Sequence, residues 1–580
     1  MDQVDKPNIV FIFSDQQRAD TMGCYGQSLP VTPNLDALAR EGVLFEHAFT
    51  PQPVCGPARS CLQTGKYATE TRCFRNGIAL EPGSETIATL LSRGGYEACY
   101  VGKWHLASTH NRAADYDLEP DIDFRTKAIP PERRGGYVDY WVAADVLEAT
   151  SHGHGGGYMY GKDMKKVVFD KYRVDGVTDF IVDCLKTRDG GKPFFLFCSY
   201  IEPHHQNDHK CYEGPEGSKE MFKDYVVPGD LEGIKGDWRE NYPDYLGCCW
   251  SIDANFKRIR DELADRGMLD NTLIIYTSDH GSHFRTRNDE YKRSCHDACL
   301  RVPLIIRGPG FAGGVKIPQL VSLIDLPPTI LAAAGITPPS YMRGRPLQGL
   351  LAGKAMDWPD EIFAQISESQ VGRCLRTAKW KYSVSAPGLN GGFNARGTYY
   401  LEEFLYDLEK DPHERTNLVD DASLEGVRKD LAGRLARRMV EAGEQAPLIL
   451  PRSRLALPPE RQVVGKIFID DSGSLSIATF AVQTSIASPI DIPLVDVLEE
   501  FMGVPIILTA GDIDRTGTML EKGGEAVLVD MAGQSRDMKE LLSPVLPARL
   551  LVLHPPRSDA RDAPRFQLFF FKDLGLSRAR

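Results

Sequence analysis

Four times within the first 281 residues, a short apolar run ends abruptly in polar residues of catalytic type. Asn8 to Phe13 leads into Ser14-Asp15-Gln16-Gln17, and Ala98 to Val101 leads into Gly102-Lys103-Trp104-His105. Phe194 to Phe197 leads into Ser199 and then Glu202-Pro203-His204-His205, while Thr272 to Thr277 leads into Ser278-Asp279-His280-Gly281. Apolar runs of this length without polar alternation predict strands buried on both faces. Helical patterns at Asn34 to Arg40, Glu85 to Arg93 and Ile252 to Arg266 supply the crossovers. The predicted class is therefore α/β, a large and mostly parallel sheet sandwiched by helices. Ligands of such sheets bind beyond the carboxyl ends of the strands, where each run delivers its polar cluster. A single cluster would be an ordinary turn; four argue for one site.

Past Leu300, Arg301 to Ile306 reads as another core strand and Leu320 to Ile336 as a strand end followed by a helix. The character changes near Trp358. Strand-like pieces at Ile362 to Ser367, Arg373 to Arg376, Trp380 to Ser383 and Glu403 to Tyr406, then a helix near Leu424 to Ala442, predict a smaller α+β domain. The expected organisation is a catalytic domain over 1–355, this subdomain over 356–450, and an extension over 451–580. That extension has apolar runs such as Ala526 to Val529 and Leu550 to Leu553 but no chemical motif.

With 42% hydrophobic and 26% charged residues over 580 positions, the chain can bury a large core without covalent staples. A net charge of −12 argues against nucleic acid, whose affinity comes from neutralising Lys and Arg. An anionic small substrate would need a local island of positive charge. The N-terminus lacks the basic and long apolar segments of a secretory signal, and no stretch has the length of a membrane span. The 13 cysteines, odd in number and without a scaffold rhythm, read as reduced thiols, so a cytoplasmic location is expected.

The strongest local signal is Cys55-Gly56-Pro57-Ala58-Arg59, followed by Ser60 to Gly65. Pro57 suits the first helical position, which places Cys55 at a helix N-terminus, where unpaired amides and the dipole favour an anion. Position alone leaves open an inert buried thiol or a thiolate nucleophile. Cys55-x-Pro57-x-Arg59 with Thr64-Gly65 resembles the formylglycine signature of the type I sulfatases of the alkaline phosphatase superfamily. The resemblance runs from about Pro7 to Leu418 and closes on Tyr406 to Pro412 with Asn417-Leu418. It implies an alkaline-phosphatase-like fold and a maturation enzyme that oxidises Cys55 to an aldehyde. One hydroxyl of the aldehyde's hydrate would attack the sulfur of a sulfate ester, and the other would then expel sulfate. Arg59 would brace the diol.

Asp15, Gln16, Asp279 and His280, together with the oxidised Cys55, form the candidate metal set, since carboxylates at two strand ends can converge on one divalent cation. The commonest pattern of the family has a second Asp where Gln16 stands and an Asn where His280 stands. Calcium is the first expectation; the imidazole makes manganese the alternative. Lys103-x-His105 resembles the family's Lys-x-His element, with Lys103 on a sulfate oxygen and His105 taking the diol proton. His204 and Lys292 match further sulfate-binding positions, His204 as donor to the leaving alcohol. Asn76, His283 and His296 are assigned to the substrate, the two histidines on its alcohol side. The expected partners are a sulfated saccharide and the formylglycine-generating enzyme, with no nucleic acid and no membrane. Enzymes lower barriers by about 8 to 23 kcal/mol, whereas one general acid or base supplies roughly a hundred- to ten-thousandfold. The groups must act together. Asp15-Gln16, Asn76 and Asp279-His280 also resemble a rival branch, the phosphonate monoester and phosphodiester hydrolases, against which Lys103-x-His105 stands. A binding protein that retains the fold without catalysis is the other alternative.

Overall fold

Each of the four apolar runs becomes a strand, and the four lie side by side. A computed structural model describes residues 6–110, 121–188, 191–353, 358–397 and 399–452, and beyond these the strands between 464 and 572. In chain order the main sheet contains β1 (Asn8–Ser14), β2 (Val43–Phe49), β3 (Glu97–Lys103), β4 (Tyr140–Ala144), β5 (Gly157–Gly161), β6 (Lys166–Phe169), β7 (Phe194–Ser199), β8 (Thr272–Ser278), β9 (Arg301–Val302), β10 (Leu304–Arg307) and β11 (Val315–Ser322). Their spatial order is β11-β2-β10-β8-β1-β7-β3-β4-β5-β6, with β9 on β2. The central strands β8, β1, β7, β3 and β4 run parallel. Ser14 is level with Ser278, Phe13 with Ser199, and Ser199 with Gly102. The polar residues that follow each strand therefore leave the sheet at one edge.

The absence of period-two alternation has a plain cause. Ile9, Phe11 and Phe13 join Tyr100, Phe197 and Ile275 in one core, while Val10 and Ile12 join Val101, Leu196 and Ile274 in another. Phe197 stacks between Phe11 at 4.7 Å and Tyr100 at 5.2 Å. Helices Pro33–Glu41, Arg173–Lys186 and Trp238–Asp265 cover one face; Cys55–Thr64, Ile87–Arg93 and Leu326–Ala333 cover the other. Burying each large side chain between such layers contributes about 1.5 to 3 kcal/mol.

The structure departs from the sequence expectation in three places. The helix expected at Ile252 to Arg266 begins already at Trp238 and accommodates Pro243, burying Tyr242, Tyr245 and Leu246 as well. The strand expected over Arg301 to Ile306 is broken at Pro303, which has no amide to donate, and β10 pairs antiparallel with β8 and β2. Strands β2 and β4 to β6 are additions. Around them no helix among the described residues is long and apolar enough to cross a membrane, and all 13 cysteines are unpaired.

The chain divides into two compact units, Met1–Ile449 and Leu450–Arg580. Within the first, β12 (Glu361–Ile366), β13 (Gly372–Thr377), β14 (Trp380–Ser385) and β15 (Tyr399–Asp407) form a second sheet, which β16 (Leu448–Leu450) completes at the boundary. Helix Glu425–Glu441 buries Leu431, Leu435 and Met439 with Leu375, Tyr382 and Leu405 of that sheet. The second unit carries a nine-stranded sheet in which Leu508–Ala510 pairs parallel with Leu568–Phe570; its other described pairings are antiparallel.

Gly102, at φ +110°, sits where β3 meets β7, and a Cβ there would lie 1.9 Å from the Ser199 carbonyl oxygen. Gly95, at φ +88°, has open space around it. Gly95→Ala should then cost only the backbone penalty of about 1 to 2 kcal/mol. Gly102→Ala should lose at least about 3 kcal/mol more through the clash, read as a correspondingly lower first transition in thermal unfolding.

Candidate active site

The register of the sheet dictates the site. Asp15 and Asp279 follow the level residues Ser14 and Ser278, and the Asp279 amide donates to the Ser14 carbonyl at 3.3 Å. Both carboxylates are fully buried. Two such charges side by side would be prohibitive without compensation. Arg59 supplies part of it: its Nη2 lies 3.0 Å from Asp15 Oδ2 and 3.4 Å from Asp279 Oδ2. Its Nη1 donates to the Lys103 carbonyl at 3.0 Å and to Ser199 Oγ at 2.7 Å, so one guanidinium ties together the ends of β1, β3, β7 and β8.

Helix Cys55–Thr64 brings the next groups. It begins at Cys55 after an extended Val54, which makes Pro57 its third residue rather than its first, and ends at Gly65 with φ 71°. Cys55 Sγ lies 3.3 Å from Asp15 Oδ1, 3.2 Å from His280 Nε2 and 2.8 Å from Lys292 Nζ. Burial, then Asp15, pushes the Cys55 thiol up to about 12 against the pull of Lys292 and Lys103. A thiol held there stays protonated at neutral pH.

Lys103 Nζ sits 2.9 Å from Asp15 Oδ2 and 3.4 Å from Glu148 Oε2. Lys292 Nζ sits 3.3 Å from both His204 Nε2 and His280 Nε2. Burial alone would raise Asp15, but Lys103, His204, Arg59 and Lys292 hold it well below the usual carboxylate range. Burial and the Asp15 charge instead push Asp279 up. His204 and His280 are both held well below the ordinary imidazole value, by burial first and Lys292 second. His280 Nδ1 faces the Gly281 carbonyl at 2.8 Å and His204 Nδ1 faces the His205 carbonyl at 2.7 Å. Those contacts place the ring proton on Nδ1 and leave each Nε2 lone pair facing the centre of the site.

A divalent cation fits this donor set. One donor atom each from Asp15, Cys55, Asp279 and His280 falls within 4.8 Å of the others. Gln16 adds a fifth: its Nε2 donates to Tyr212 at 2.7 Å and to Ser282 at 3.3 Å, which leaves the buried Oε1 without a hydrogen-bond partner. Its amide meanwhile donates to Asp279 Oδ1 at 2.9 Å.

His105, partly exposed at φ 59°, is held by its amide on the Asp145 carbonyl, and its buried Nδ1 has no partner. Asn76 Oδ1 accepts the Gly56 amide at 2.9 Å, and the Asn76 amide donates to Glu368, in the turn between β12 and β13, at 2.7 Å. His105, Asn76 and Glu368 line a cavity of about 480 Å³ together with His110, Arg125 and Phe393. The structure thus gathers Asp15, Gln16, Cys55, Arg59, Lys103, His204, Asp279, His280 and Lys292 around one centre, with His105 and Asn76 at its entrance.

His283 and His296 are elsewhere. His283 is buried with Nε2 3.1 Å from the Lys292 carbonyl, and His296 is buried with Nε2 3.1 Å from the Tyr406 hydroxyl and its ring against Phe404. No contact brings either to the centre: His296 is satisfied by Ser294 and Tyr406, while His283 faces the segment bearing Lys292 through Nε2 and its buried Nδ1 has no hydrogen-bond partner. Conversely, sequence reasoning passed over Glu148, Tyr212 and Glu368. None belongs to a motif, and only the fold brings each one to the site. Near β7, Arg173 pairs with Glu202 at 2.7 Å, both buried, and anchors the turn that carries His204.

Comparison with known proteins gives two family matches. Residues 7–336 match the sulfatase family, and residues 289–441 match the C-terminal region of N-sulphoglucosamine sulphohydrolase. An N-acetylglucosamine-6-O-sulfatase of Bacteroides thetaiotaomicron is 26% identical over 514 residues, covering 74% of this chain and 86% of that protein. A solved structure described as bound to its substrate D-glucosamine-2-N,6-O-disulfate superposes with a TM-score of 0.60 at 23% identity, covering 76% of this chain and 99% of the other. The phosphonate monoester hydrolase of Agrobacterium radiobacter superposes with a TM-score of 0.57 at 23% identity, covering 82% of this chain and 100% of that one.

Adding Ca²⁺ to metal-stripped protein should raise its melting temperature, since a ligand at a hundred times its Kd stabilises by about 2.7 kcal/mol. Asp279→Asn should abolish that rise. An equal rise in the variant would mean that the ion binds elsewhere.

Proposed function

Because the chain belongs to the sulfatase family, we propose that it hydrolyses the sulfate ester of a sulfated carbohydrate with a formylglycine made from Cys55. The observation that carries this reading is the convergence of Lys103, Lys292 and His204 with Cys55 and two carboxylates at the edge of one sheet. The sugar is supported by the similarity to an N-acetylglucosamine-6-O-sulfatase.

In this reading a maturation enzyme converts the Cys55 side chain to an aldehyde, and water adds to give a geminal diol. Lys103 and Lys292 hold the sulfate group over it, their charges maintained against burial by the groups beside them, Asp15 and Glu148 for Lys103 and the Cys55 side chain foremost for Lys292. One diol hydroxyl passes its proton to Asp15 Oδ1, which lies 3.3 Å from Cys55 Sγ, as its oxygen attacks sulfur and His204 Nε2 gives a proton to the departing alcohol oxygen. Burial and Lys292 make His204 a strong acid once protonated, and the incoming anion offsets the repulsion that otherwise keeps it neutral. His105 then accepts the proton of the second hydroxyl as its oxygen closes to the aldehyde and sulfate departs. Arg59 keeps Asp15 and Asp279 in place throughout. A cation held by Asp15, Gln16, Asp279 and His280 supplies Lewis-acid stabilisation of oxyanion charge. Calcium is the first candidate, and the His280 imidazole makes manganese the alternative.

Gln16 and His280 are also the observation that favours the second reading, hydrolysis of phosphonate monoesters or phosphodiesters. Turnover of an aryl sulfate against phenyl phosphonate separates the two, and the sulfate should be preferred; a large preference for phosphonate would reverse the assignment. With a sugar sulfate, whose leaving alcohol needs a proton, His204→Ala should lower kcat roughly a hundred- to ten-thousandfold. With a p-nitrophenyl ester, whose leaving group departs as the anion, the loss should be much smaller. Equal losses on both substrates would contradict a proton-donor role.

A further inference from the structure

Away from the buried centre, two loops meet at the surface and bring together donors that the reaction does not use. The first is the turn closed by pairing of Ser151 with Gly157, which carries His152; the second is the turn closed by pairing of Gln206 with Cys211, which carries Asp208 and His209. One donor atom from each of His152, Asp208 and His209 lies within 4.8 Å of the others. His152 Nε2 lies 2.8 Å from Asp208 Oδ2, and the His152 and His209 rings stack with centroids 4.3 Å apart and planes 6° from parallel.

The group beside them is what turns proximity into a built arrangement. Glu213 Oε1 lies 2.5 Å from His209 Nδ1, while its Oε2 accepts the Gly153 amide at 2.6 Å. The carboxylate thus fixes His209 with its proton on Nδ1 and its Nε2 lone pair free, and it fastens the His152 loop to the same point. A carboxylate on the far nitrogen of a ligating histidine is the arrangement that orients such ligands and raises their basicity. The loops are also close-packed there: a Cβ on Gly153 would lie 2.7 Å from Glu213 Cβ. Asp208 is held in turn by Gln206, whose Nε2 donates to its Oδ1 at 2.7 Å.

We infer that His152, Asp208 and His209 form a second metal site, for a zinc-class transition-metal ion, with Glu213 orienting His209. Two imidazoles and one carboxylate with water in the fourth position are a zinc-type donor set, and imidazole selects zinc, copper or nickel over calcium or magnesium. The side chains are exposed by 41% at His152, 57% at Asp208 and 49% at His209, so the ion can enter without unfolding. Its effect would be to clamp the loop after Glu148, which touches Lys103, to the segment that follows His204.

The test is calorimetric titration of the whole protein with Zn²⁺ in excess Ca²⁺, alongside melting curves. Wild type should take up one more equivalent than either His152→Ala or His209→Ala and should show a zinc-dependent rise in melting temperature that both variants lack. Glu213→Gln should weaken that equivalent roughly ten- to a hundredfold. Asp208→Asn, which keeps the shape of the side chain, should weaken it while leaving the metal-free melting temperature unchanged. Equal stoichiometry and affinity in wild type and all four variants would overturn the site and assign any zinc uptake to the buried centre or to adventitious binding.

Discussion

Arg59 is the residue on which the rest of the site depends. Asp15 and Asp279 emerge from adjacent strands at the same level, fully buried, and the sheet gives neither any freedom to withdraw. Their coexistence requires positive charge within hydrogen-bond reach, and removing one member of such a buried cluster typically costs about 3 to 5 kcal/mol. Arg59 meets this need from the helix that begins at Cys55, one turn beyond the reactive position. The stabilisation of the carboxylates and the placing of the nucleophile are thus one structural act. Lys103 and Lys292 extend the same logic, each lying against a group that the substrate or an ion would also contact.

A net charge of −12 and an anion-binding site are compatible because the positive charge is local and buried. Lys103 is driven to stay charged: burial opposes it, but Asp15 and Glu148 outweigh burial. The groups arrive already positioned, so little reorganisation remains for the moment of reaction. The rigidity comes from beneath, where two apolar layers fix the strands and the Phe11, Phe197 and Tyr100 rings stack across three of them.

The parts legible in the sequence are those in which local chemistry and fold agree. Continuous apolar runs announced β1, β3, β7 and β8, because a doubly covered strand cannot alternate. Cys55-x-Pro57-x-Arg59 announced the helix start for the same local reason. Strand β2 escaped because Glu46 and His47 interrupt it, half-buried. Strand β4 is hidden behind a long polar stretch, and β5 and β6 behind the Gly-rich run Gly153 to Gly157. Glu148 and Glu368 contribute through contacts distant in sequence, which no periodicity encodes. Histidine near catalytic motifs invites a functional role, yet His296 is already paired with Ser294 and Tyr406, and His283 is buried with Nε2 on a backbone carbonyl and Nδ1 without a partner.

Cys55 is, in the proposed reaction, the precursor of the reacting group rather than the group itself. The most direct measurement is the mass of the proteolytic peptide that carries Cys55, from protein co-expressed with a formylglycine-generating enzyme. The account predicts the mass of the aldehyde or its hydrate, and activity that scales with the converted fraction. A peptide that retains the thiol in fully active protein would contradict it.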